Sequence, residues 1–348
     1  MSKKVFVGLS GGVDSATSAA LLLERGYDVV GAFIKIWQPE FVECSWEKDR
    51  LDAMRVCAAL GIPFREIDLS HEYKREIVGD LIEGYKRGET PNPDVLCNRH
   101  IKFGSFAQWA FSLGADYVAT GHYARIEKRD ERYALLRGVD ADKDQSYFLW
   151  QLTQADLART LFPVGGMKKE EVRAYAQQIQ VPVAKKPDSQ GLCFVGDVTM
   201  AEFLSRYIPP QRGIVQDERG HTIGTHSGAH LYTLGQRHGF VMDGKNGQRP
   251  HYVIAVSVKE NTVTVSERKE IAARANAPLR AVSYVFGEAS VASKLDVQLR
   301  YREVPGRATL QRDGVETHVL FDEPRVAPPG QSAVFYDGEE LLGGGIIR

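Results

Sequence analysis

Val5-Phe6-Val7-Gly8-Leu9-Ser10-Gly11-Gly12-Val13-Asp14-Ser15 stands near the start of the chain, and Ala16-Thr17-Ser18-Ala19-Ala20-Leu21-Leu22-Leu23-Glu24 follows it directly. The first apolar run reads as a buried strand, the alanine- and leucine-rich stretch as a helix, and the serine and glycines between them as a tight turn. A turn of this kind is a cradle for phosphate. Gly11 and Gly12 let backbone N–H groups approach an anion closely, Ser10 and Ser15 add hydroxyl donors, and the helix start supplies the positive end of its dipole. The Gly-Lys-Ser/Thr of P-loop NTPases and the Gly-x-Gly-x-x-Gly of dinucleotide folds are both absent, so kinase and dehydrogenase readings lack their signatures.

Outward from the loop, residues 27–34 and 64–68 read as further strands and residues 48–60 as a helix between them. Helical periodicity returns over 73–85 and 101–113, and 116–121 reads as another strand. Strand and helix alternate, which predicts a parallel sheet with ligands at the carboxyl ends of its strands, where Gly8–Ser15, Ile34–Trp37 and Thr120–His122, with Gly121 between, would lie. After helices at 168–180 and 200–207, Pro209-Pro210 breaks the chain and short strands such as 252–258 and 262–266 follow. Beyond Ala273, the runs 282–286, 295–301, 307–311, 318–321 and 332–336 predict an antiparallel barrel. The expected fold class is therefore α/β. An N-terminal parallel sheet over 1–198 precedes a small β-rich central domain over 199–272 and an antiparallel β-barrel over 273–348.

The 348 residues exceed a usual single domain, and 43% hydrophobic content is ample for several cores. A formal net charge of −1 gives no global basic field, so any nucleic-acid contact must rest on local clusters. The N-terminal apolar run is too short for a signal peptide and no stretch has membrane-spanning length, so the expectation is a cytoplasmic protein without a membrane partner.

Cysteines stand at 44, 57, 97 and 193 with no Cys-x-x-Cys spacing, against a zinc site or a secreted disulfide framework. Cys97 follows Thr90-Pro91-Asn92-Pro93-Asp94 and is expected at a helix start, where the dipole, Arg99 and Lys102 would favour its thiolate. Polar neighbours argue against a merely buried thiol. Cys193 lies between Gly191 and Gly196, downstream of Lys185 and Lys186, a setting suited to a carrier thiol. Cys57 reads as core, and Cys44 receives no role. His71, His221 and His226 are expected on the surface and form no metal set.

The loop Gly8-Leu9-Ser10-Gly11-Gly12-Val13-Asp14-Ser15 resembles the PP-loop of the ATP pyrophosphatases, adenine nucleotide alpha-hydrolase-like proteins that cut ATP between the α and β phosphates. Together with Asn92-Pro93-Asp94, Cys97, Gly121-His122, Lys143-Asp144-Gln145 and Ser189-Gln190-Gly191-Leu192-Cys193, it resembles the tRNA-specific 2-thiouridylase family over essentially the whole chain. The resemblance implies ATP-dependent 2-thiolation of the wobble uridine in the anticodon region of tRNA. ATP, with Mg²⁺, would adenylate the uracil C2 oxygen, and sulfur would come from a persulfide on Cys193, loaded by a sulfur donor or relay protein. By the family pattern Cys97 is the nucleophile and Asp94 the general acid/base beside a flipped-out uracil. Gly8–Ser15, Ile34 and Gly121 would bind the nucleotide. Related enzymes often carry Met where this chain has Ile34, a swap that keeps apolar contact with adenine but stiffens it. Asp14 would position Mg²⁺ or cap the loop.

For tRNA the pattern assigns Asn92, Pro93, Asp94, His122, Lys143, Asp144, Gln145, Arg300, Tyr301 and Gln331, types that meet phosphates, stack on bases or read exposed base edges. Each alone is an ordinary surface residue; weight comes from their joint occurrence. Three other readings stand beside this one. An amidating ligase would share the loop without needing two working thiols, and a tRNA-binding protein would bind without releasing pyrophosphate. Asp94, Cys97 and Cys193 would alternatively ligate an iron–sulfur cluster, although clusters are usually held by cysteines alone.

Overall fold

The computed structural model describes residues 2–42, 46–188, 196, 198–244, 249–287, 294–314 and 316–348. Cys44 and Cys193 lie outside them. Strands β1 (Lys4–Gly8), β2 (Asp28–Lys35), β3 (Phe64–Asp68) and β4 (Tyr117–Ala119) come first in the chain. A hairpin of β5 (Ala124–Arg129) and β6 (Arg132–Arg137) follows, and then β7 (Thr160–Leu161). Five of these form a parallel sheet in the order β3-β2-β1-β4-β7. Successive side chains of β1 serve opposite faces: Val5 and Val7 join one core and Phe6 the other. Both faces are covered, which is why β1 reads as an unbroken apolar run. Helices Val13–Glu24 and Trp46–Leu60 pack with Val5 and Val7, and the helical stretches 70–86 and 93–112 pack with Phe6. Cys57 is core, as its sequence setting predicts, and burial pushes its thiol up to about 11.

The helix expected from Ile101 starts at Pro93. It runs as Pro93–Leu96, a π-helical segment Cys97–Ser105 with i→i+5 bonding, and Phe106–Ser112. Cys97 is therefore a full turn inside the helix, not at its start, and its N–H already donates to the backbone oxygens of Pro93 and Asp94.

The central strands are β8 (Gly213–Gln216), β9 (Thr222–His226), β10 (Val241–Met242), β11 (Tyr252–Ser257) and β12 (Thr262–Ser266), ordered β10-β9-β8-β12-β11 around Val215, Val253, Val263 and Tyr232. His71 and His221 are exposed, but His226 is buried, correcting its expected surface position. Its ring packs on Tyr232 and its Nδ1 accepts the Gly228 N–H. Burial lowers its pKa.

The last unit holds β13 (Arg274–Tyr284), β14 (Lys294–Gln298), β15 (Gly306–Asp313), β16 (Glu316–Arg325), β17 (Ser332–Asp337) and β18 (Glu340–Ile347). Antiparallel pairing in the order β13-β16-β15-β14-β17-β18 closes through β13–β18 into a barrel. The hairpin β5–β6, from the N-terminal part of the chain, extends this sheet through β6–β18.

Candidate nucleotide and thiol site

The phosphate loop closes on itself. Ser10 N–H donates to Ser15 Oγ at 3.2 Å and Ser15 Oγ donates to Gly12 O at 3.2 Å, so the second serine splints the turn. Gly11 has φ +71°, and a Cβ there would meet Asp49 O at 2.6 Å. Gly12 is the N-cap of helix Val13–Glu24. Gly121, after β4, presses on the start of that helix: a Cβ would lie 2.7 Å from Ser15 N. Ile34, at the end of β2, places its Cδ1 3.7 Å from where a Gly8 Cβ would stand. Gly8, Ser10–Ser15, Ile34 and Gly121 thus meet at the carboxyl ends of β1, β2 and β4, with Leu9 and Val13 buried beneath as core.

Asp14 has partners that the sequence did not announce. Lys169 Nζ lies 2.6 and 2.8 Å from its two carboxylate oxygens, and Tyr123 Oη donates to Oδ1 at 2.7 Å. The same ammonium, buried, reaches Asp188 Oδ1 at 2.8 Å. Asp188 also accepts Lys143 Nζ at 2.8 Å and Arg173 at 2.6 Å. Burial opposes ionisation of Asp188, but the hydrogen bonds from Lys143 and Lys169 outweigh it and hold the carboxyl well below its usual range. Lys169 sits in Lys168-Lys169-Glu170-Glu171, which reads as any solvated helix start. For Asp188 a signal existed, its place five residues before Cys193.

Helix 93–112 carries the thiol. Asn92 caps it, its Oδ1 accepting from Asp94 N–H at 3.2 Å and Val95 N–H at 3.4 Å, and Pro93 occupies the first helical position. Asp94 and Cys97, three residues apart, share one helix face, and both are partly exposed. Burial raises the Asp94 carboxyl above its ordinary value, offset in part by the Lys102 ammonium. Arg99 is turned to Asp156, 3.1 Å away. The helix backs directly onto the phosphate loop: Phe106 Cε1 lies 3.7 Å from the Cβ position of Gly8, and Phe103 packs on His122 with ring centroids 5.9 Å apart.

The residues expected at RNA divide into two groups. Asn98 Nδ2 donates to Phe148 O at 3.1 Å, and the Phe148 ring lies 4.6 Å from Tyr301, so the thiol helix, the segment after Gln145 and the barrel converge. Gln331 Nε2 donates to Thr90 O at 2.6 Å, beside Asn92, and Arg300 donates to Leu234 O at 2.7 Å. Other side chains are tied into the fold. His122 is buried against Phe103 and Phe162 with Nδ1 2.7 Å from Thr120 Oγ1, and burial lowers its pKa far below the ordinary value. Pro93 is likewise buried. Asp144 accepts from Gly138 N–H, Ser146 N–H and Arg137, and Gln145 Oε1 accepts from Tyr123 N–H. Buried His122 and Pro93 correct an expectation of surface side chains, whereas Asp144, Gln145 and Lys143, the last on Asp188, are half-buried. Among the described residues, no group of three His, Cys, Asp or Glu side chains is arranged to hold a metal ion.

A self-splinted glycine loop at the carboxyl edge of a parallel sheet, followed by two β units, defines a HUP-type nucleotide-binding protein. Family models agree with that class: a tRNA methyl transferase HUP domain over residues 3–197, a tRNA methyl transferase PRC-barrel domain over 201–267, and an aminomethyltransferase beta-barrel domain over 274–347. The tRNA-specific 2-thiouridylase MnmA 2 of Geobacillus kaustophilus is 43% identical over 99% of this chain and 94% of its own length. The tRNA-specific 2-thiouridylases MnmA of Enterococcus faecalis, at 43%, and Bacillus thuringiensis, at 42%, each also span 99% of this chain, covering 95% and 94% of their own lengths. The domain names speak of methyl transfer and the relatives' names of sulfur; the relatives match end to end and decide the point. The chain belongs to the tRNA-specific 2-thiouridylase family of sulfurtransferases.

Proposed function

We propose that this chain transfers sulfur to C2 of the wobble uridine in the anticodon region of tRNA, with ATP activating the C2 oxygen. The observation that supports the reading is the approach of Phe106, on the helix that bears Asp94 and Cys97, to Gly8 of the phosphate loop, its Cε1 lying 3.7 Å from where a Gly8 Cβ would stand. Gly8–Ser15, Ile34 and Gly121 hold ATP, and Lys169, steadied by Asp14, stands at the phosphate end. A magnesium ion carried in with ATP would neutralise phosphate charge; Asp14, the loop's one carboxylate, is engaged by Lys169 and Tyr123 and is not free to be its ligand in this structure.

Asp94 takes the N3 proton of the uracil while its O2 attacks the α-phosphate. The O2–Pα bond forms, and pyrophosphate leaves with the electron pair of the bond it breaks. The terminal sulfur of a persulfide on Cys193 then adds to C2, and Asp94 returns the proton to N3. Cys97 thiolate attacks the Cys193 sulfur, the S–S electrons pass to the sulfur on C2, and AMP departs carrying the former uracil oxygen. A Cys97–Cys193 disulfide remains, and an external thiol reductant restores it, as a reducing cytoplasm would. Asn92, Tyr301 and Gln331 border the place for the flipped base, and the natural units for the three tasks are 1–198, 199–272 and 273–348.

The test is reconstitution with a tRNA transcript, ATP, Mg²⁺ and a persulfide donor, followed by mass analysis of digested nucleosides. Expected are 2-thiouridine, AMP and pyrophosphate, with product lost in C97A and C193A. The rate should fall on the acid side at a higher pH than an unperturbed aspartate would give, because raised Asp94 must be ionised to accept a proton, and D94N should remove that limb. Binding of tRNA with no 2-thiouridine would sink the reading. A stoichiometric iron–sulfur cluster required for turnover would replace the persulfide route.

A further inference from the structure

Four consecutive residues, Glu89 to Asn92, lead into the thiol helix, and the two β units hold them at several points. Arg280 of β13 forks onto Glu89, one N–H to each carboxylate oxygen, both at 2.8 Å. Thr90 N–H donates to Pro329 O at 2.8 Å, Thr90 O accepts from Gln331, and the Thr90 hydroxyl meets that of Thr233 at 2.7 Å. Glu89 is largely buried, and its carboxylate also accepts from Arg87, at 2.8 Å. Pro91 and Pro93 fix two φ angles between this anchor and Asp94, so few soft torsions separate them. Asn92, between the prolines, uses its side chain to cap the helix. Nearby, Gln151 Oε1 is buried without a hydrogen-bond partner among the described residues, and Gln151 lines the same cleft as Glu89, Asn92, Arg280 and Ser332.

We propose that Arg280 and Glu89 are positioning residues: from the barrel, their fork sets the entry of helix 93–112 and thereby the placement of Asp94 and Cys97. The fork is suited to this because paired N–H···O bonds between a planar guanidinium and a carboxylate fix direction as well as distance. A misplacement of even an ångström at reacting groups costs rate while leaving remote binding surfaces intact. The assignment rests on the roles proposed for Asp94 and Cys97, so its test includes a readout that needs neither tRNA nor ATP.

Full-length R280M, R280K, E89Q and the E89Q/R280M double variant are compared with the unaltered protein in turnover, melting temperature and alkylation of Cys97 by iodoacetamide, followed by peptide mass mapping. Expected for each single variant is a fall in kcat of about tenfold or more with KM for ATP and for tRNA within about twofold. Lysine should not rescue, since it keeps the charge and loses the fork. The double variant should be no worse than the worse single, and Cys97 should alkylate at least about threefold faster as the helix entry loosens, while buried Cys57 stays protected. Unchanged kcat and unchanged Cys97 alkylation in folded R280M would overturn the proposal, as would full rescue by lysine or losses that multiply in the double variant. If the unaltered protein makes no 2-thiouridine, the functional reading fails, and the clamp is then judged on Cys97 alkylation in R280M and E89Q alone.

Discussion

Lys169 is where the loop's electrostatics are settled. Its ammonium is sandwiched between Asp14 and Asp188, its side chain 10% exposed against 31% and 26% for the two acids. Taking the lysine away leaves two carboxylates without their shared cation at the place where nucleotide phosphates are proposed to sit. K169M should therefore raise KM for ATP by at least about tenfold, more than it changes KM for tRNA, since the lost charge faces one substrate only. It should also cost about 2–3 kcal/mol of stability, less than a fully buried pair because both acids are partly wet. Pyrophosphate release over an ATP series, with urea melts, reads both quantities. An unaltered KM for ATP would remove Lys169 from the phosphate site. Nothing in the local sequence marks this lysine, because its meaning comes from Asp14, 155 residues away in the chain.

Helix 93–112 is the element on which the two halves of the site depend, and its start is set by one side chain. N92A should cost about 1 kcal/mol by leaving the Asp94 and Val95 N–H groups without their acceptor. It should lower 2-thiouridine formation more than it lowers ATP binding, because Ser10–Ser15 lie on another element. Denaturation midpoints and nucleotide titration test this, and equal losses in both would place Asn92 outside the positioning of Asp94. The cap was readable: asparagine followed by proline is a helix start, with proline at the first position. Placing Cys97 at the helix start and its periodic stretch from Ile101 missed the first turn; periodicity is distorted by the π-helical stretch Cys97–Ser105, which widens the turn. By contrast β3 occupies 64–68 end to end as its apolar pattern predicts, and the loop residues meet where strand order requires. The hairpin β5–β6 was not legible. Ala134, Leu135 and Leu136 are all buried in succession instead of alternating, because β6 lies between the barrel edge and the N-terminal core. β18 hides for another reason, its Gly343-Gly344-Gly345 carrying none of the side chains that signal a strand.

Across the molecule, one core ignores the division into units. Phe6, Ile101 and Phe106 from the N-terminal sheet and its helices belong to the same apolar cluster as Leu135, Trp150, Val334, Tyr336 and Leu341. Polar contacts run through that cluster: Trp150 Nε1 donates to Ser332 Oγ at 3.1 Å, and Tyr147 Oη donates to Leu299 O at 3.1 Å and Ser332 O at 3.0 Å. Arg129 and Arg132 from the hairpin both bind Glu340 of β18. A fragment of residues 1–198 would expose Leu135 and Trp150 and strand the Tyr147 hydroxyl, so it should not reach the packed state it has in the whole chain. Its far-ultraviolet circular dichroism should persist while the near-ultraviolet aromatic signal is lost. In the full chain, W150A should cost about 3–5 kcal/mol, the loss of a large core aromatic, and melt the parallel sheet and the barrel together. A fragment with sharp near-ultraviolet bands, or two separate transitions in W150A, would show that the units fold independently. Joint folding has a consequence for the thiol helix. A loop clamped by Arg280, Pro329, Gln331 and Thr233 keeps its geometry only while both β units are docked, so the barrel is part of what places Cys97 even though it contributes no thiol.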